Sequence, residues 1–147
     1  MRRILFVCTG NTCRSPMAEI IMKNKIKEAG VSDVRVSSAG IMALNGSKMS
    51  ENSFKALKKL GYKPYGFKSK QLTEKQVRNA DVIICMTAEH KRFFGGLRTV
   101  RTMNEVSGLG DIPDPYGKSQ EIYEKTAYCI SAACEIILNR IINEKGE

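Results

Sequence analysis

The segment Cys8-Thr9-Gly10-Asn11-Thr12-Cys13-Arg14-Ser15 gathers a thiol, a guanidinium six residues later and a hydroxyl directly after that. It lies between an apolar run, Ile4 to Val7, and Ser15-Pro16, a pair suited to opening a helix. Successive backbone N–H groups in such a strand-to-helix turn form an anion-binding nest, and the helix N-terminus adds partial positive charge. Gly10 and Asn11 tolerate the left-handed backbone that the turn requires. The GxxxxGK[ST] pattern is absent, so the cradle is not a nucleotide loop. A thiol on its floor, among amide dipoles and beside Arg14, is expected to be a thiolate and hence a nucleophile. Arg14 matches two phosphoryl oxygens at once and should bind more tightly as charge develops on them. The Ser15 hydroxyl is placed to donate to the thiolate and ease its later departure.

Attack by a thiolate on phosphorus needs a general acid for the leaving group. The run Asp111-Ile112-Pro113-Asp114-Pro115-Tyr116-Gly117 supplies candidates. Prolines on both sides of Asp114 fix its backbone and aim its carboxylate, which favours it. Asp111 is a competitor in the same loop, and composition does not separate the two. Tyr116 is expected to line the pocket.

These residues need elements to position them. The run from Arg3 to Val7 reads as a buried strand that ends at Cys8. A helix with Ser15 as N-cap follows, with Met17, Ile20 and Ile21 starting its apolar face and Gly30 closing it. Val34 to Ser38 is a second strand stopped at Gly40. Ser50 caps a helix through Leu60, with Phe54, Leu57 and Leu60 on one face. Thr73 and Gln76 form a capping box, flanked by Leu72 and Val77 as a hydrophobic staple. Asp81 to Met86 reads as a third buried strand. A helix near Glu89–Phe94 and a strand near Thr99–Met103 come next. Gly108 to Gly117 is a loop, and Ile130, Ala133, Cys134, Ile137, Leu138 and Ile141 mark a final amphipathic helix. Alternating strands and helices predict an α/β fold, a parallel sheet covered on both faces, with its ligand beyond the carboxyl ends of the strands.

The 147 residues suit one domain spanning the chain. A net charge of +9, from 24 Lys and Arg against 15 Asp and Glu, favours anionic partners. The basic residues are scattered, however, which reads as a solvated surface. No docking motif or aromatic platform points to nucleic acid, and no apolar run is long enough for a membrane span. The four-residue apolar start is too short for an export signal, so a cytoplasmic chain with reduced cysteines is expected. Neither CxxC nor a Cys/His cluster is present, so no metal site and no cofactor are expected. Cys129 and Cys134 are read as structural, and His90, beyond the carboxyl end of the third strand, as a surface histidine, with contact to the site as the alternative.

VCTGNTCRSPMAE, from Val7 to Glu19, together with DPYG, from Asp114 to Gly117, resembles the low-molecular-weight protein tyrosine phosphatases. The resemblance covers nearly the whole chain. It implies a flavodoxin-like three-layer fold with a four-stranded parallel sheet. It implies Cys8 as nucleophile, Arg14 as phosphate binder, and Asp114 as general acid and later as base for water. The remaining loop residues Thr9, Gly10, Asn11, Thr12, Cys13 and Ser15, with Ser38, bind phosphate or hold the loop's shape. Thr12, Tyr116 and Met42 are expected to line the substrate pocket. Cys13 is implied as the partner of a protective disulfide with Cys8.

Tyrosine-directed members usually carry a bulky aliphatic residue at the position of Thr12. Thr12, and Gly117 in place of a second tyrosine, resemble the protein arginine phosphatase branch. Phosphoarginine on proteins is therefore the favoured substrate, with phosphotyrosine as the alternative. Phosphorylated proteins are the expected partners, inorganic phosphate is the product and an inhibitor, and a monomer is expected. The similar thioredoxin-coupled arsenate reductases need two further cysteines on a mobile segment. Cys85 sits inside an apolar strand and no cysteine lies between it and Cys129, so that relay is excluded.

Overall fold

The computed structural model describes residues 2–145. In chain order the elements are β1 (Arg2–Cys8), α1 (Arg14–Glu28), β2 (Val34–Gly40), α2 (Glu51–Lys59), α3 (Glu74–Asn79), β3 (Val82–Cys85), α4 (Ala88–Arg92), β4 (Val100–Thr102), α5 (Met103–Ser107) and α6 (Gln120–Lys145). The strands pair in the order β2-β1-β3-β4, and every pairing is parallel. The chain leaves β1 for β2 on one side and returns to place β3 on the other. This flavodoxin-like order puts its topological switch at the carboxyl end of β1, where doubly wound folds hold ligands.

The apolar run of β1 is continuous because both faces of the sheet are covered. Ile4, Phe6 and Cys8 face a core shared with Met17 and Ile21 of α1 and Ala127, Ile130 and Cys134 of α6. Leu5 and Val7 face the opposite core with Ile83, Cys85 and Val100, roofed by Leu72, Val77 and Phe94. The six apolar positions that mark α6 in the sequence are all buried. The Thr73–Gln76 capping box forms in both halves. Leu72 and Val77 at its flanks pack on the second core.

Several expectations are corrected. α1 begins at Arg14 with Cys13 as N-cap and no side-chain cap, because the Ser15 hydroxyl is engaged elsewhere. Ser15 and Pro16 therefore both lie within the first turn. Leu60 leaves the face shared by Phe54 and Leu57: it caps the end of α2 and is exposed. The fourth strand stops at Thr102, where a second capping box, Thr102 with Glu105, starts the unexpected α5. Gly108, left-handed at φ 74°, ends that helix. Cys134 is buried, whereas Cys129 is exposed on α6 and packs no core.

Candidate active site

The turn from Thr9 to Cys13 joins the buried end of β1 to α1. Asn11, at φ 54°, is the only non-glycine residue with positive φ among the described residues. Its buried side chain offsets that backbone cost with three hydrogen bonds. Nδ2 donates to Ser15 Oγ at 2.8 Å and to Ser38 Oγ at 2.9 Å, and Oδ1 accepts from the Lys70 N–H at 2.9 Å. Ser38 passes its own hydrogen to Glu19 Oε1 at 2.8 Å. Glu19 is buried on α1, and its other oxygen meets Lys23 Nζ at 2.9 Å.

This chain has a direction. Ser15 Oγ already accepts from Asn11, so its single hydrogen remains for Cys8 Sγ, 2.8 Å away. Burial pushes two other thiols, Cys85 and Cys134, up to about 12, so they are inert at neutral pH.

Gly40 closes the cradle from the β2 side. A Cβ there would stand 2.6 Å from the Thr9 carbonyl oxygen and 2.9 Å from the Asn11 nitrogen. The backbones meet closely because Ile41 N–H donates to the Cys8 carbonyl at 3.0 Å and Met42 N–H to the Thr9 carbonyl at 2.8 Å. Met42 thus joins the site through its main chain, and its side chain is largely exposed. Thr12 is half-buried, and its carbonyl accepts the Ser50 N–H at 2.9 Å.

Cys13 and Cys8 are free thiols. Cys13 Sγ lies 3.4 Å from Ser50 Oγ and 3.7 Å from Tyr123 Oη. Burial, with the Cys13 contact added, raises the Tyr123 phenol to about 12, so it stays a neutral donor.

The loop before α6 carries the two candidate acids, and contacts separate them. Asp111 Oδ2 accepts the Ala88 N–H at 2.9 Å, which ties it to the start of α4. Asp114 Oδ2 stands 3.9 Å from Arg14 Nη2, and its Oδ1 accepts the Tyr116 N–H at 3.1 Å. Tyr116 follows at the surface. Arg14 itself is buried, with Nη1 donating to the Ile112 carbonyl at 3.0 Å.

Two residues near the site escaped the sequence reading, and for a third the less favoured alternative holds: His90 is buried at the site, not a surface residue, with Nε2 2.9 Å from Thr9 Oγ1. Glu19 follows Ser15 by four positions, a spacing that places both on one face of α1 and could have flagged it. Tyr123 carries no local signal, since its contact to Cys13 spans the length of the chain. Among the described residues no group of three His, Cys, Asp or Glu side chains could hold a metal ion. No described helix is long and apolar enough to cross a membrane.

A buried thiol thus ends β1 at the switch point of a flavodoxin-like sheet, and Arg14, at the start of the helix that follows, reaches the distant loop that carries Asp114. The chain belongs to the low molecular weight phosphotyrosine protein phosphatase family, whose model matches residues 3–147. It is 41% identical over 130 residues to a protein-arginine-phosphatase of Bacillus subtilis, covering 84% of this chain and 85% of the relative. The crystal structure of a low molecular weight protein tyrosine phosphatase from T. tengcongensis superposes with a TM-score of 0.89 at 38% identity, covering 95% of this chain and 99% of that one. The YwlE arginine phosphatase from Geobacillus stearothermophilus gives a TM-score of 0.89 at 34% identity, covering 99% and 96%.

Proposed function

We propose that the protein hydrolyses phosphorylated protein side chains through a phosphocysteine at Cys8, with phosphoarginine preferred to phosphotyrosine. The observation that carries the reaction is the directed chain Asn11–Ser15–Cys8, which ends on the sulfur.

In the first step the Cys8 thiolate attacks phosphorus, the S–P bond forms, and the bond from phosphorus to the leaving nitrogen or oxygen breaks. The Asp114 carboxyl gives its proton to that leaving atom. Arg14 and the turn's N–H groups hold the equatorial oxygens, where charge is greatest in the transition state. In the second step the Asp114 carboxylate takes a proton from water, the water oxygen attacks phosphorus, and the S–P bond breaks. Ser15 stabilises the departing thiolate, and inorganic phosphate is released. Phosphate then competes for the same cradle. Asp114 beside Arg14 is the better acid–base candidate, because Asp111 is committed to the Ala88 amide.

Thr12 supports the arginine preference. It is smaller and more polar than the aliphatic residue usual in tyrosine-directed relatives, so it grips a phenyl ring less. A carboxylate beside the leaving group also suits a departing guanidinium. The B. subtilis relative named a protein-arginine-phosphatase agrees with this reading. Free cysteines suit a reducing, cytoplasmic setting, and oxidation to a Cys8–Cys13 disulfide would switch the nucleophile off.

The experiment is paired kinetics on phosphoarginine and phosphotyrosine peptides with the wild-type protein and Thr12→Ile. A wild-type preference for phosphoarginine that falls at least about tenfold in the variant is expected, a size typical of pocket changes of one or two carbons. A ratio unmoved by Thr12→Ile, or a wild-type preference for phosphotyrosine, contradicts the substrate assignment.

A further inference from the structure

His90 takes no part in the chemistry above, yet both nitrogens of its buried ring are engaged. Nδ1 lies 3.0 Å from Thr87 Oγ1, and Nε2 lies 2.9 Å from Oγ1 of Thr9, the residue that follows the nucleophile. Proton accounting gives these contacts a direction. Thr87 is the N-cap of α4, and its oxygen accepts the His90 backbone N–H. Its one hydrogen is then available to the Nδ1 lone pair, which leaves the ring proton on Nε2 to be donated to Thr9 Oγ1. The Thr9 oxygen is thereby occupied and its own hydrogen is left over. Thr9 is exposed at the mouth of the turn, so that hydrogen can meet an incoming oxygen. The reverse arrangement would use the Thr9 hydrogen inward and turn that of Thr87 away from the ring.

We propose that His90 is a positioning residue: as the neutral Nε2–H tautomer in a Thr87–His90–Thr9 relay, it holds the Thr9 hydroxyl as an outward donor to the phosphoryl group of the substrate. This rests on the phosphatase reading and extends it to a group off the reaction path. The surroundings favour the neutral ring. Burial and then Arg14, from α1, disfavour a second proton. Glu89 on α4 itself and Asp111 and Asp114 of the loop before α6 act in the opposite sense and are outweighed. A protonated ring would donate at both nitrogens and break the link from Thr87.

The chain has a single histidine, so its imidazole is read without assignment ambiguity. Nitrogen–proton correlation spectra of the wild-type protein at neutral pH should show the Nε2–H tautomer. Kinetics on an aryl phosphate supply the second arm. His90→Ala and Thr9→Val should each lower kcat/KM by about tenfold, and the double variant should fall no further than the worse single one, a strong coupling for residues in contact. His90→Gln, whose amide nitrogen reaches the position of Nε2, should recover most of the loss, with melting temperatures recorded for every variant. An Nδ1–H tautomer, losses that multiply, or a Gln variant as poor as Ala overturns the relay, and the spectrum decides even if His90→Ala does not fold. A wild-type protein without turnover would instead defeat the phosphatase reading, whereas an active enzyme lacking this coupling would defeat the relay alone.

Discussion

Arg14 Nη1 donates to the Ile112 carbonyl at 3.0 Å, across 98 residues of chain. The guanidinium of the anion turn is thereby bolted to the loop that carries Asp114. That loop is anchored a second time, since the Ile112 N–H donates to the Met86 carbonyl, one residue past β3, at 2.9 Å. Arg14 and Asp114 thus meet at 3.9 Å from opposite ends of the sequence.

This contact makes Arg14→Lys a severe change despite the retained charge. Lysine lacks the planar fork that serves Ile112 and two phosphoryl oxygens together. The expected loss in kcat/KM on an aryl phosphate is about 100-fold or more, the scale of losing one transition-state donor. Rates within a few-fold of wild type would show that no forked contact forms.

Ser15→Ala removes the donor that faces Cys8. A hydrogen bond to a charged group contributes about 1.5–3 kcal/mol, so kcat should fall about 10- to 100-fold, and KM should fall with it as breakdown becomes limiting. Burst kinetics locate the defect: breakdown of the covalent intermediate should slow, because the thiolate is then the leaving group. An unchanged kcat would detach Ser15 from the chemistry.

At Gly40 the side chain, not the backbone angle, is excluded. An alanine Cβ would press on the Thr9 carbonyl and the Asn11 nitrogen, at 2.6 and 2.9 Å. Gly40→Ala should cost about 1–3 kcal/mol of stability, the range for overpacking, and should lower activity by displacing the turn. Urea unfolding with parallel assays tests both effects, and a variant as stable and active as wild type would mean that the two backbones can move apart freely.

His90 also sets a pH dependence of stability. Its folded pKa is lowered by burial and by Arg14, while the unfolded value is about 6.5. The unfolded chain therefore takes up the proton first as pH falls. Stability is complete above about 6.5, declines between that value and the lower folded one, and levels off below it. Urea midpoints measured at falling pH should show this decline in the wild type and a shallower one in His90→Gln; parallel curves would assign the acid lability to other groups.

Legibility followed sequence distance. Cys8, Asn11, Arg14 and Ser15 could be read because turn, strand and helix start lie within one short stretch. Even there, Ser15 reads both as a helix cap and as a donor to Cys8, and only the second role holds, because Asn11 and Cys8 engage its hydroxyl. Asp111 and Asp114 are indistinguishable by composition; the flanking prolines and the family resemblance favour Asp114, and the Ala88 and Arg14 contacts separate the two in space. His90 looked like a surface residue because its partner Thr9 is 81 positions away. The Thr102–Glu105 capping box went unread because Thr102 lies inside the stretch, Thr99 to Met103, assigned to the fourth strand.

The central claim is that the Cys8 sulfur accepts the phosphoryl group, and trapping that adduct tests it most directly. Asp114→Ala should form the adduct from an activated aryl phosphate, whose leaving group needs no proton, and release it slowly for want of a base. Rapid acid quench, digestion and mass analysis should find one added phosphoryl group on the peptide containing Cys8 and none in Cys8→Ser/Asp114→Ala. Steady turnover with Cys8 unmodified at every time point, or the phosphoryl group on another residue, would contradict it.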